Sequence, residues 1–300
     1  MKKILVIGST VVDVIIELME RLPKTGEDVH VRRQQMSLGG CAFNVSDSIR
    51  HFQVPYILFS PVGTGIYGYF VREELKKRGI SSPIPSPNQD NGCCYCFVES
   101  TGERTFSSYH GAEYLFRREW FDLIKTEEID SVYICGLEIE EVTGDVIVDF
   151  LEKNPQLKIF FAPGPRLTVI DSLLLDRIYR LSPILHLNES EALEVTRAQQ
   201  ITQAARSLYD RTHNTVIITL GDKGCYYYDG DKDDIVPPVK TRQVDTIGAG
   251  DSHIGSVIAC LKRGQSLSAA IASANKVAAA VVGNSSAILP DEEFAKLDLI

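Results

Sequence analysis

Asp245-Thr246-Ile247-Gly248-Ala249-Gly250-Asp251-Ser252-His253-Ile254-Gly255 sets the small residues Gly248, Ala249 and Gly250 ahead of an acid. Helical spacing then continues through Val257, Ile258 and Leu261. Without bulky side chains at 248–250, a ligand can approach the backbone closely. A helix that starts here leaves its first N–H groups unpaired and aimed out of its end, which attracts anions. Phosphoryl transfer needs such a cradle for the charge on the moving group, and a base beside the attacking hydroxyl. Asp251 stands at the mouth of the cradle. The plainer reading is a Gly-rich turn with Asp251 as a helix cap.

The stretch resembles the D-T-x-G-A-G-D signature of the ribokinase-like (PfkB) carbohydrate kinase family. Its members move the γ-phosphate of ATP to a hydroxyl of a sugar or nucleoside. Further stretches resemble the family in the same order along the chain.

Composition is compatible with this. The 300 residues are 44% apolar, enough for one α/β domain with an excursion. A formal charge of −9 without a long basic run argues against nucleic-acid backbone binding. The segment 1–9 is too short for a signal peptide, and no apolar stretch reaches membrane-spanning length. The seven cysteines include the cluster Cys93-Cys94-Tyr95-Cys96, whose spacing is wrong for a zinc knuckle. They read as strand residues in a reducing cytoplasm.

Along the chain, 3–8 is a compact apolar run ending in glycine, a buried strand. From Val11 the chain makes an extended excursion and returns at Gly39-Gly40. Helices are predicted over 43–52 and 65–77, with a strand over 56–62 between them. Strand-like runs 94–99 and 104–109 flank Ser100-Thr101-Gly102-Glu103 and predict a hairpin. Strands at 132–135, 159–162, 184–187 and 216–220 alternate with helices at 144–153, 167–180, 189–196 and 201–211. That alternation implies a parallel sheet covered on both faces. Antiparallel additions follow at 225–228 and near Val236, and two helices close the pattern at 249–262 and 267–282.

Several motifs carry chemistry, each with a plainer alternative. Gly63-Thr64-Gly65-Ile66-Tyr67-Gly68 matches G-x-G-x-x-G between a strand and a helix, which raises a dinucleotide-dependent oxidoreductase. The next segment is Ser/Pro loop with Asp90 in no strand, so the ribose-binding acid is missing. The same stretch resembles the family's V-G-x-D-x-x-G segment, with Gly65 where that pattern has its acid. Gly39-Gly40-Cys41-Ala42-Phe43-Asn44 resembles the family's G-G-x-x-x-N; otherwise it is a turn and a capping Asn. Asp13 matches the family acid that binds sugar hydroxyls, or is a solvated turn acid. Asn188-Glu189-Ser190-Glu191 resembles N-x-x-E, in which Asn reaches ATP phosphates and Glu organises Mg²⁺ through water. The alternative is a capped helix with acids in its first turn. Thr219-Leu220-Gly221-Asp222-Lys223-Gly224 resembles the T-x-G-x-x-G nucleotide loop, or is a Gly-rich turn.

The resemblance further matches Asn275 to the segment near adenine and Glu138 to a position touching ribose. It matches Arg166 to a loop arginine that steadies phosphate, although the loop's Asp and Asn are absent from Ala162-Pro163-Gly164-Pro165-Arg166. His253 replaces an apolar residue of the signature and reads as a packed helix residue.

The family resemblance thus implies a three-layer α/β/α sandwich over 1–300, one domain, with lid segments at about 12–38 and 91–110. It implies that ATP and Mg²⁺ meet Asn188, Thr219, Gly221, Gly224 and Gly248–Gly250, with a K⁺ near Asp245 as in some relatives. The acceptor is expected to touch Asp13, Gly39, Gly40 and Asn44, and Asp251 to take its proton while the amides of Ala249, Gly250 and Asp251 steady the charge. A homodimer through the lid is the expected assembly. The acceptor is a small sugar, or alternatively a ribonucleoside such as pseudouridine; a non-catalytic sugar sensor is the reading outside enzymology.

Overall fold

The computed structural model describes residues 1–284 and 286–300. In chain order the strands are β1 (Lys3–Ile7), β2 (Val11–Leu18), β3 (Val31–Gly39), β4 (Tyr56–Phe59), β5 (Cys93–Val98), β6 (Arg104–Tyr109), β7 (Ile129–Cys135), β8 (Lys158–Ala162), β9 (Ile184–Asn188), β10 (Val216–Thr219), β11 (Cys225–Tyr228) and β12 (Asp233–Val236). The helices are α1 (Cys41–His51), α2 (Gly65–Lys77), α3 (Gly136–Glu140), α4 (Gly144–Lys153), α5 (Ser172–Arg180), α6 (Glu189–Thr196), α7 (Ile201–Thr212), α8 (Ala249–Lys262), α9 (Leu267–Val282) and α10 (Asp291–Ala295).

An eight-stranded sheet runs in the order β12-β11-β10-β9-β8-β7-β1-β4. From β4 to β10 its pairings are parallel, and β11 and β12 add antiparallel. Successive side chains point to opposite faces, so a strand covered on both sides is apolar throughout. In β1, Ile4 and Val6 enter one core with α1, α8 and α9, while Leu5 and Ile7 enter the other with α4, α5 and α7. The result is the α/β/α sandwich expected from the alternation of strands and helices.

Two expected boundaries move for local reasons. The strand expected over 56–62 ends at Phe59, ahead of Pro61, which has no N–H to give a ladder. The helix expected over 167–180 is a 3₁₀ turn, Gly164–Thr168, followed by α5. Asp171 restarts the helix by accepting from the amides of Leu173 (3.0 Å) and Leu174 (3.1 Å).

Four strands form a second sheet in the order β3-β2-β5-β6. Val12 and Val14 of β2 are buried, whereas β3 is exposed until Leu38 and β6 nearly throughout. The G-x-G-x-x-G stretch lies where this sheet leaves the core. A Cβ at Gly63 would come within 2.3 Å of the Gln89 carbonyl, and one at Gly65 within 2.7 Å of the Asp90 carboxyl. Thr64 Oγ1 donates to Asp90 (2.7 Å) and the Gly63 amide to Asn91 (2.6 Å). These glycines seat the 89–91 strap, which is why the motif has no strand and acid behind it.

Among the described residues, no helix is long and apolar enough to cross a membrane.

Candidate active site

Gly248 opens the site. At φ +75° it adopts the left-handed conformation, and a Cβ there would collide with the Ala287 carbonyl at 2.1 Å. The turn before it is held by Asp245, whose Oδ1 accepts from the Ile247 amide at 3.0 Å. Helix α8 then begins at Ala249, whose amide donates to the Thr246 carbonyl at 3.3 Å. The Ala249 amide, expected to help steady the charge, is therefore partly engaged within the turn. The next amides, of Gly250 and Asp251, have no acceptor among the described residues. They are the donors a helix start offers to an anion. A Cβ at Gly250 would meet nothing within 4 Å, so the space above the helix end is open.

Asp251 faces α1. Its Oδ2 accepts from Asn44 Nδ2 at 2.9 Å, with the Cys41 thiol nearby. This closeness depends on Gly255, one helical turn on, where a Cβ would lie 2.7 Å from the Val45 carbonyl. Burial pushes the Asp251 carboxyl up to about 6, against the opposing effects of Asn44 and Cys41. Asp13, on β2, is also pushed up to about 6, first by burial and then by the negative charge of Asp251. Two carboxylates coupled in this way titrate as a pair. Gly39 makes room for Asp13: a Cβ there would sit 2.0 Å from Asp13 Oδ2. Gly40 caps α1, and the buried Asn44 Oδ1 has no partner.

On the other side of Asp251 lies a cavity of about 240 Å³ at the C-terminal ends of β7–β10. Gly248, Gly250, Asp251, Asn188, Glu191, Thr219 and Arg166 all line it. Asn188 and Glu191 form a reciprocal cap of α6: Asn188 Oδ1 accepts from the Glu191 amide and Glu191 Oε2 from the Asn188 amide, each at 2.9 Å. The plainer reading of this motif therefore holds as geometry, and it leaves Asn188 Nδ2 and Glu191 Oε1 outside the cap's own bonds. Arg166 reaches the cavity with its guanidinium bound in bidentate fashion to Glu140, a partner the sequence did not suggest.

The remaining expected residues lie off the cavity. Gly221 and Gly224 bracket the tight turn after Thr219, closed by the Leu220 amide donating to the Gly224 carbonyl at 2.8 Å. Glu138 is buried beneath Gly8 and Ser9; its Oε1 accepts from the Ser9 amide at 2.7 Å and its Oε2 has no partner. Burial raises its carboxyl above the usual range. Asn275 has its amide engaged by His253 and by the carbonyls of Val236 and Pro237.

Cys41, His186, Gly255 and Arg104 were missed by sequence reasoning. Arg104, the first residue of β6, forms an ion pair with the buried Asp245. A glycine inside a helix was the one available signal, at Gly255.

Known proteins resemble this chain in sequence and fold. A protein of Escherichia coli (strain K12) named an uncharacterised sugar kinase is 32% identical over 288 residues, covering 94% of this chain and 89% of that protein. The structure of Methanocaldococcus jannaschii nucleoside kinase, an archaeal member of the ribokinase family, matches with TM-score 0.82 at 21% identity, over 99% of this chain and 98% of that one. Arabidopsis thaliana ribokinase complexed with ribose and ATP matches with TM-score 0.80 at 19% identity, over 100% and 99% of the two chains. The family described as pfkB family carbohydrate kinase matches residues 1–293. The chain therefore belongs to that family and is a carbohydrate kinase, a phosphotransferase acting on a sugar hydroxyl.

Proposed function

We propose that the chain moves the γ-phosphoryl group of ATP to a hydroxyl of a small free sugar, as a ribokinase or fructokinase does. The observation that carries this reading is the position of Asp251, held by Asn44 Nδ2 at 2.9 Å beside the unpaired amides of α8, where burial pushes its carboxyl up to about 6. It stands between the open amides of α8 and the Asp13–Asn44 pair. A base with that affinity is ionised at neutral pH yet takes a proton readily.

In this reading Asp13 and Asn44 Oδ1 accept hydrogen bonds from sugar hydroxyls, close to the backbone at Gly39 and Gly40. Glu138 closes the floor behind Ser9. As the hydroxyl oxygen bonds to the γ-phosphorus, its proton passes to Asp251 and the bond to the β-phosphate oxygen breaks, releasing ADP. The amides of Gly250 and Asp251 hold the developing charge. Asn188 and Thr219 border the phosphates, and the Gly221–Gly224 turn follows directly behind Thr219. Arg166 contributes less than its type suggests, because Glu140 already neutralises it.

The donor set also fits Mg²⁺. Among the described residues no cluster of three His, Cys, Asp or Glu could cage a metal, while Glu191 lines the cavity and its Oε1 is not used in the cap. That suits an ion that keeps its waters and binds phosphate oxygens. When bound, Mg²⁺ neutralises the phosphate oxygens. A K⁺ at Asp245 fits less well, since Arg104 already supplies a positive charge there.

The test is ADP release across a panel of free sugars, sugar phosphates and nucleosides with MgATP. A free sugar should raise ADP release well above the rate without acceptor; no response to any free sugar would sink the proposal. A ribonucleoside acceptor, such as pseudouridine, is the second reading. It draws on Tyr109, exposed at the end of β6, and on the stacked His110–Tyr114 pair with centroids 3.9 Å apart. The exposed rings of Tyr109 and His110 offer a stacking surface for a base. For assembly, we favour pairing of two copies through the small sheet, because Val31, Met36 and Phe106 are exposed on β3 and β6. A monomer in sedimentation at micromolar concentration would remove that proposal.

A further inference from the structure

Behind the catalytic face of α8 runs a buried chain of polar side chains that the proposed reaction does not use. His186 on β9 approaches His253 on α8, Nε2 to Nδ1 at 2.9 Å. His253 Nε2 lies 3.1 Å from Asn275 Oδ1 on α9. Asn275 Nδ2 donates to the carbonyls of Pro237 (2.9 Å) and Val236 (3.3 Å), just past β12. His186 and His253 are 5% and 1% exposed, and His186 also lines the cavity.

The direction of every bond follows from its far end. Two carbonyls can only accept, so the Asn275 NH₂ faces them and its oxygen faces His253. His253 must then carry its proton on Nε2. Burial keeps the ring neutral, with its pKa lowered to about 4, so Nδ1 is a bare acceptor. His186 must in turn donate from its own Nε2. Burial likewise pushes His186 well below the usual imidazole range.

We propose that His253 and Asn275 are positioning residues for phosphoryl transfer: with His186 they form a one-way hydrogen-bonded relay that pins the first turn of α8 to β9 and α9. Helical geometry supports this. His253 and Gly255 differ by two residues, about 200° around the axis, so they occupy opposite sides of α8. Gly255 seats α8 on α1, and Asp251 shares that side. The relay holds the other side. One of its anchors, β9, ends in Asn188, which lines the phosphate cavity. The relay thereby fixes the distance between Asn188 and the amides of Gly250 and Asp251. The same geometry reassigns Asn275. Both amide hydrogens and its oxygen are engaged inside the protein, so its amide acts through His253 and not on adenine.

The proposal rests on the reading of Asp251 for its kinetic part only. The first measurement is the ¹⁵N chemical shifts of the histidine rings in the folded wild-type protein at neutral pH. Two rings should be locked as Nε2–H tautomers. Nδ1–H forms, or rings averaging between tautomers, would overturn the relay without any variant. The second is Asn275→Ala, which touches neither His186 nor Asp251. It should unlock the tautomers of both His186 and His253. Turnover per folded molecule should fall on the order of tenfold or more, as small misplacements in active sites do. MgADP affinity by calorimetry should stay within about twofold, a span of roughly 0.4 kcal/mol. Weakened MgADP binding with unchanged turnover would instead make Asn275 a nucleotide contact and overturn the proposal. An active Asp251→Asn enzyme would fault the base assignment and leave the tautomer result standing, so the two failures are distinguishable.

Discussion

The eight-stranded sheet and the four-stranded sheet are built on different principles, and Asp251 lies on the seam between them. The large sheet is buried on both faces, and its functional side chains close on one another: Asn188 with Glu191, Arg166 with Glu140, His186 with His253. The small sheet exposes β3 and β6, packs Val12, Val14, Leu38 and Cys93 into the core, and adds polar contacts at its rim. Those polar contacts include Tyr67 Oη to Tyr95 Oη at 3.1 Å and Arg104 to Asp245. The difference assigns tasks. A closed network fixes a cradle, whereas a sheet whose outer strands β3 and β6 are exposed can shift at its rim to admit an acceptor. Asp13 arrives from the second kind of structure and Asp251 from the first.

The largest effect expected on this contrast is from Asp251→Asn. The amide keeps the Asn44 bond and the helix start but cannot take a proton. Turnover should fall on the order of 10²–10⁴-fold. If Asp251 were only a cap, the change would be mild, since Asn caps about as well as Asp. Stability separates the readings further. The folded carboxyl holds its proton up to about 6, against an ordinary value of 3.8. Its contribution to stability is therefore full below 3.8 and lost as pH rises through about 6. At pH 7 the ionised group costs the fold on the order of 2–3 kcal/mol, taking about 1.4 kcal/mol per pKa unit. Asp251→Asn should melt at the same temperature or higher at pH 7. A folded variant keeping more than about a tenth of wild-type turnover would remove the base assignment.

Gly250→Val comes next. The space around Gly250 is empty, so the fold should tolerate the larger residue while the cradle is filled. The loss should resemble that of one oxyanion donor, ~10²–10³ in turnover, with little change in melting temperature. Normal ADP release from the folded variant would move the phosphate elsewhere.

A third test uses pH. Asp251 must be ionised to act, and Asp13 must be ionised to accept two hydroxyl hydrogen bonds. Below about 6, kcat/KM should drop at least tenfold per pH unit, more steeply where both carboxylates count. Replacing Asp13 with Asn should leave a limb of unit slope. A flat profile from pH 7 to 5 would contradict the pair.

The same contrast explains what the sequence disclosed. The large sheet was legible because burial on both faces writes continuous apolar runs such as Ile129–Cys135, and helices at 249–262 and 267–282 carry their own periodicity. The cradle was legible because Gly248, Ala249, Gly250 and Asp251 are contiguous. Contacts between distant residues left no such trace. Arg104 and Asp245 are 141 residues apart, and His186 and His253 are 67 apart. His253 looked like a packed helix residue, which it is; its partner on β9 turns packing into a relay. Arg166 and Asn275 were identifiable by resemblance, but Glu140 and the Val236–Pro237 carbonyls that occupy them were not, since partner choice is set by tertiary packing.

The smallest expected effect concerns the seam itself. Arg104 is the cation that the small sheet places on Asp245, and Asp245 orders the turn into α8 through the Ile247 amide. Arg104→Gln keeps a donor and removes the charge. Because the guanidinium is about a quarter exposed, the pair contributes modestly, on the order of 1 kcal/mol, or about fivefold. That loss should fall on the acceptor side: KM for the sugar rises a few-fold while kcat holds, because the closed networks around Asp251 stay intact. Two further readouts sharpen the comparison. Limited proteolysis at Ser100–Glu103, the exposed turn between β5 and β6, should quicken in the variant and slow when acceptor and nucleotide are present. Activity of the wild-type protein should be the same in K⁺ and tetramethylammonium salts, whereas Arg104→Gln should gain from K⁺, which can take the vacated place on Asp245. Equal proteolysis in both proteins, with or without ligands, would mean that the small sheet does not open, and the division of tasks between the two sheets would fall with it.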